Sequence, residues 1–171
     1  MSAVAPDAPP QTPSVLRRLA SMLYESMLLF AVAFIAGAAF LLANGGQVAT
    51  GWVRHAEQAY LAAVFGAYFV YCWLRGGQTL AMKAWRIRLV APGLARVPVR
   101  LVLLRLVYAA IFLGAFGAAV VGAFVHRNPW LAFASLALTG IGLGWALVDR
   151  DRQFLHDRLA GTQLVLVPRG G

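Results

Sequence analysis

The chain has 171 residues, enough for one domain, and 61% of them are hydrophobic, against roughly 45–50% in soluble domains. Charged residues make up 12%, about half the usual share, and the formal net charge is +9. A soluble globule of this size has too little interior for so much apolar surface, which points to a polytopic membrane protein and excludes disorder, collagen and coiled coil.

Residues 1–14 carry Pro6, Pro9, Pro10 and Pro13 among small residues and read as a disordered cytoplasmic tail. Arg17 and Arg18 then precede an apolar stretch over 19–43, broken only by Ser21, Glu25 and Ser26. It is long enough to span a bilayer with some tilt, and too long for the apolar part of a cleaved signal peptide. Asn44, Gly45 and Gly46 end it with turn chemistry. A polar loop with Arg54, His55 and Glu57 leads to a shorter second span over 58–74. Trp52 and Tyr60 near one of its ends, and Tyr71 and Trp73 near the other, suit aromatic belts at the two membrane surfaces.

The interval 75–105 is the longest polar stretch, with Arg75, Lys83, Arg86, Arg88, Arg96, Arg100 and Arg105 and no acidic residue. Its part 78–84 suits a short interfacial helix. From Trp85 to Val90 apolar and basic residues alternate, a strand-like period ended by Pro92 and Gly93. A third span covers 106–125, a tight turn holds His126 to Pro129, and a fourth span covers 130–148. A polar tail follows. Its β-prone segment 162–167 is expected to pair with 87–90 at the membrane surface, and 169–171 are terminal tail. The expected architecture is all-α, four transmembrane helices over 15–168 with a small cytoplasmic cap and a short two-stranded β pairing.

Placing both tails and the central interval on one side puts thirteen of the fifteen Lys and Arg residues there and leaves Arg54 and Arg127 opposite. By the positive-inside rule that side is the cytoplasm. The same rule accounts for the high net charge, so nucleic acid is not an expected partner. Anionic lipid head groups are, at about 1 kcal/mol for each basic residue near the surface. A second copy of the chain or another membrane protein is the other expected partner.

Glu25 is the most informative polar residue. It lies about 9 Å along the helix from Leu19, where a carboxylate must be paired, hydrated or protonated. Arg18 is two turns earlier on nearly the same face, and Arg105 is the expected partner of Glu25. The network Arg18, Glu25, Arg105 and Asp157 is read as either a structural lock or an ion-coupling site. Asp149, Asp151 and Asp157, three of the six acidic residues, are expected to lock the tail onto the basic interval. His156 beside Asp157 lacks a nucleophile or a second ligand motif, and no catalytic residue is assigned. His55 and His126 are expected in outer loops. Cys72 is the single cysteine, so no intrachain disulfide forms. No cofactor and no metal is expected.

Gly140 and Gly144 form a GxxxG pair, and Gly114, Ala118 and Gly122 a row of small residues, both suited to close helix approach. Gly76 and Gly77 suit a turn at the membrane edge. They lack the strand and the spacing of a phosphate-binding loop.

Three stretches resemble the RDD family, small bacterial integral membrane proteins named for one Arg and two Asp positions. They are Arg17-Arg18-Leu19-Ala20 leading to Glu25; Arg75-Gly76-Gly77-Gln78-Thr79-Leu80-Ala81-Met82-Lys83 followed by Arg86-Ile87-Arg88-Leu89-Val90; and Gln153-Phe154-Leu155-His156-Asp157-Arg158-Leu159-Ala160-Gly161-Thr162. By this resemblance the signature Arg is Arg18, the first Asp position is held by Glu25 and the last by Asp157. Glu25 departs from the pattern by carrying its charge on a longer arm, and Ala81 stands where Gly is common. The resemblance implies a bacterial inner-membrane protein. Transport, including sodium–proton exchange for some members, has been suggested for that family. The residues favour a non-enzymatic assembly or interaction module, with a small ion or solute transporter titrating at Glu25 as the alternative.

Overall fold

The computed structural model describes residues 11–125 and 127–168. The expected tails at 1–10 and 169–171, and His126, lie outside the described residues. Six helices and two strands follow in the order α1 (Val15–Ala43), α2 (Gly51–Gly76), α3 (Leu80–Ala84), β1 (Ile87–Val90), α4 (Val99–Phe124), α5 (Pro129–Gly144), α6 (Leu155–Leu159) and β2 (Gln163–Leu166). A 3₁₀ turn over Trp145–Leu147 continues α5.

Among the described residues three helical stretches are long and apolar enough to cross a membrane: α1, α4, and α5 with its 3₁₀ extension. Helix α2 is as long as α4 but carries Arg54, His55, Glu57 and Gln58 in its first turns and Arg75 near its end. The polar loop expected at 44–57 is therefore shorter. Only its first part is a turn, and His55 and Glu57 sit on the helix.

Helix α1 is built inside out. Its buried residues are Arg18, Ser21, Glu25 and Ala36, while Leu16, Phe30 and Phe34 are more than 70% exposed. Arg18, Ser21 and Glu25 recur at i, i+3 and i+7, the spacing of one helix face. That polarity suits a helix whose surroundings are hydrocarbon and whose polar side chains must find partners within the protein.

The most completely buried apolar cluster lies at one end of the long helices, where Trp73, Met82, Ile87, Leu89, Val102 and Leu164 meet. Here β1 and β2 pair antiparallel, Ile87 opposite Leu166 and Val90 opposite Gln163. The alternation in β1 turns Ile87 and Leu89 inward and Arg88 outward. Residues 11–13, read from sequence as tail, are held against this unit: Gln11 accepts a hydrogen bond from the Leu166 amide at 2.8 Å, and Pro13 is buried.

Gly77 makes this end possible. It closes α2 in the left-handed conformation at φ +68°, its amide reaching the Trp73 carbonyl at 3.0 Å. A Cβ there would stand 2.7 Å from the Leu89 carbonyl oxygen, so only glycine lets β1 approach.

Helices α4 and α5 meet on a face one position away from the expected small-residue row. The buried residues of α4 are Phe112, Ala115, Ala119 and Gly122, together with Val102 and Arg105 nearer its start, whereas Gly114 and Ala118 point outward. Of the expected row only Gly122 packs closely, with Leu131 Cγ 3.1 Å from where its Cβ would be. Gly140 and Gly144 face open space within the protomer, and the tight contact on α5 belongs to Gly142, whose Cβ would lie 2.8 Å from the Phe112 ring. The reason is periodicity: Ser135, Thr139 and Gly142 share the i, i+4, i+7 face that meets α4, and that face excludes Gly140 and Gly144.

Candidate functional site

Apart from Ser135 and Thr139, which lie between α5 and α4, the buried polar side chains form two groups at the same end of the molecule, both anchored on α1. The first surrounds Glu25, whose residue is 8% exposed. Its Oε1 accepts a hydrogen bond from the Tyr68 hydroxyl of α2 at 2.6 Å, and its Oε2 accepts one from the Thr79 hydroxyl. Thr79 is also the N-cap of α3, its oxygen accepting from the Met82 amide at 3.2 Å. One carboxylate therefore joins α1, α2 and α3. Next to Thr79, Gln78 donates from Nε2 to the Ile87 carbonyl at 2.7 Å and ties the same turn to β1.

The second group surrounds Asp157, which is fully buried. Arg105 Nε on α4 donates to its Oδ1 at 2.7 Å, and the guanidinium lies 4.3 Å from the centroid of the Trp73 ring. Trp73 is itself stacked on Phe69 at 5.0 Å. Arg18 is 1% exposed, donates from Nη2 to the Arg152 carbonyl and lies over the Phe154 ring at 4.6 Å. Its Nε and Nη1, with Asp157 Oδ2 and His156 Nδ1, have no hydrogen-bond partner among the described residues. Thr162 closes α6, amide and hydroxyl both reaching the Asp157 carbonyl, at 3.0 and 3.3 Å. Gly161 precedes it in the left-handed conformation at φ +68°.

This arrangement corrects the expected partnership of Glu25 and Arg105. Arg105 faces α6 and the Trp73 ring, while Glu25 faces the hydroxyls of α2 and α3. Trp73 is likewise not a belt residue: at 4% exposure it belongs to the apolar cluster, while Tyr71 stays outside. The expected lock of the tail onto the basic interval reduces to Asp157 with Arg105. Asp149 and Asp151 turn back to Arg158 of their own segment, at 3.2 and 2.9 Å.

His156 approaches its neighbour Asp157: Nε2 lies 3.6 Å from Oδ2, and both side chains are buried. Burial pushes the His156 imidazole down to about 4; Asp157 partly opposes that shift, and Arg105 and Arg18 add to it. The ring is therefore neutral at pH 7.

Three contributors escaped the sequence reading. Tyr68 and Trp73 lie in an apolar run where they look like lipid-facing aromatics; for Tyr68 the signal is that a hydroxyl at that depth requires a partner, whereas Trp73 is held through its ring, against Phe69 and Arg105. Gln153, 1% exposed, offers its side-chain amide to both backbone groups of Leu164, at 3.1 and 3.4 Å, and so extends the edge of β2. Among the described residues no three His, Cys, Asp or Glu side chains gather closely enough to hold a metal ion.

The model of the RDD family matches residues 12–161, a stretch that contains both polar groups except Thr162. No curated protein and no solved structure matches the chain.

Proposed function

We propose that this chain, which belongs to the RDD family, is a non-enzymatic module of the bacterial inner membrane that holds a folded cytoplasmic cap against the bilayer for assembly with a membrane partner. One observation carries the reading. The charged side chains buried in the long helices are spent on ties between elements: Arg18 to Arg152 and Phe154, Glu25 to Tyr68 and Thr79, Arg105 to Asp157.

In this reading α2 is a fourth span. Its 26 residues give about 39 Å at 1.5 Å per residue, more than a hydrocarbon core requires, and its polar residues cluster near its ends. Four spans bring both termini to one face, and the excess of Lys and Arg there makes that face cytoplasmic. The partner is a second copy or another membrane protein. Co-purification of the full chain in native lipid, with mass measurement, tests this. A discrete assembly heavier than the monomer is expected, and a monomer alone contradicts it.

A specific observation favours a second reading, cation–proton exchange with Glu25 as the titrating group. Glu25 is buried, yet its partners are two hydroxyls and, among the described residues, no cation pairs with it. Glu25→Gln separates the two. Loss of flux in proteoliposomes with folding and assembly unchanged supports exchange. Failure to accumulate, with no flux from the unmodified chain, supports the module.

A further inference from the structure

The carboxylates at the cap end are used internally. Glu25 accepts from two hydroxyls, Asp157 is paired with Arg105, and Asp149 and Asp151 both meet Arg158. Within the central interval that leaves Arg75, Lys83, Arg86, Arg88, Arg96 and Arg100, none of which makes an ion pair among the described residues. All but Arg86 are exposed, and Arg86 is half-buried. Sequence reading expected the acidic tail to neutralise this interval; the geometry leaves it uncompensated.

Arg75 lies in the last turn of α2, Lys83 on α3, Arg88 on the outer face of β1 and Arg100 at the start of α4, while Arg86 and Arg96 lie in the connections on either side of β1. The same segments expose apolar side chains beside them. Leu80, Leu94, Val99 and Leu103 are between 46% and 58% exposed. In α3 the two kinds alternate within one turn, Leu80 and Lys83 outward, Ala81 and Met82 inward. A surface that pairs uncompensated cations with exposed hydrocarbon, at the end of apolar helices, fits a phosphate joined to acyl chains.

We propose that this collar is a docking surface for anionic phospholipid in the adjoining leaflet, the basic side chains taking the phosphate and Leu80, Leu94, Val99 and Leu103 the upper acyl chain. The opposite end holds only Arg54 and, past α4, Arg127, so lipid selection is confined to one leaflet.

The test uses the full chain in phosphatidylcholine nanodiscs carrying a minor fraction of phosphatidylglycerol. The readout is phosphatidylglycerol retained on the protein after detergent extraction, by native mass spectrometry. Replacing Lys83, Arg88, Arg96 and Arg100 together by Gln is expected to lower retention by at least tenfold, since each charge near the surface contributes about fivefold. Arg54→Gln with Arg127→Gln is expected to leave it unchanged. If the fourfold variant does not fold, Arg96→Gln and Arg100→Gln singly are each expected to lower it about fivefold. Equal retention by the variants, equal loss in the opposite-end control, or equal retention of phosphatidylcholine overturns the proposal. Displacement by inorganic phosphate, where chloride at the same ionic strength has no effect, overturns the lipid as occupant.

Discussion

Arg105 on α4 and Asp157 on α6 form a buried ion pair, Nε to Oδ1 at 2.7 Å, with side chains 8% and 0% exposed. The same guanidinium covers the Trp73 ring of α2 at 4.3 Å, so one side chain joins two long helices to the cap. Removing one member of so dry a pair strands the other charge, at a cost of about 3–5 kcal/mol. Arg105→Met is therefore expected to lower unfolding stability by about that much. Arg105→Met with Asp157→Leu is expected to be less damaged than Arg105→Met alone. Thermal unfolding in nanodiscs measures both.

The hydroxyls around Glu25 predict a smaller, graded effect. Tyr68→Phe deletes one hydrogen bond to a carboxylate, worth about 1.5–3 kcal/mol. Thr79→Val deletes the other and also uncaps α3, adding about 1 kcal/mol. Denaturant titration in mixed micelles should rank Thr79→Val below Tyr68→Phe, and Tyr68→Phe below the unmodified chain. The reverse order for the two variants would mean that the cap role of Thr79 is negligible.

His156 predicts an acid limb. Its folded value near 4 lies below the ordinary 6.5, so between those pH values the unfolded chain binds the extra proton. Its contribution is complete above about pH 6.5, falls as pH drops toward 4 at no more than about 1.4 kcal/mol per pH unit, and is flat below. The groups that face it are Asp157, Arg105 and Arg18, with the Phe154 ring 5.6 Å away. His156→Phe should flatten the stability profile in that window. An unchanged slope would place the titrating group elsewhere.

The helix contacts predict a contrast between neighbouring glycines. Gly142→Ala drives a methyl into Phe112 and is expected to cost about 1–3 kcal/mol, whereas Gly140→Ala meets nothing within 4 Å. Gly77→Ala combines a 2.7 Å clash with Leu89 and a left-handed backbone, and is expected to reduce folded yield most. Folded yield by size-exclusion chromatography after expression ranks the three.

Membrane class, the helix-rich architecture and the pairing of 87–90 with 162–167 were legible because they depend on local periodicity, and periodicity is written along the chain. Of the turn expected at Gly76-Gly77, Gly77 takes the left-handed conformation while Gly76 is the last residue of α2. The partner of Arg105 was not legible, because it depends on how α4 rotates about its axis. Sequence favoured Glu25 as its partner, and the face that carries Val102, Arg105 and Phe112 turns it to Asp157 instead. The same rotation decided that Gly142, rather than Gly140 or Gly144, meets α4. Tyr68 and Trp73 were hidden by their setting, since an aromatic in an apolar run reads as a lipid contact until the hydroxyl of one is matched to Glu25 and the ring of the other to Arg105.

The central claim is that the charges buried in the helices pin the cap, each in the pairing described. Double-mutant cycles on unfolding stability, Arg105 with Asp157 and Arg105 with Glu25, test it most directly. Coupling of about 2 kcal/mol or more is predicted for the first pair and none for the second. Strong coupling of Arg105 to Glu25, with none to Asp157, would contradict the account.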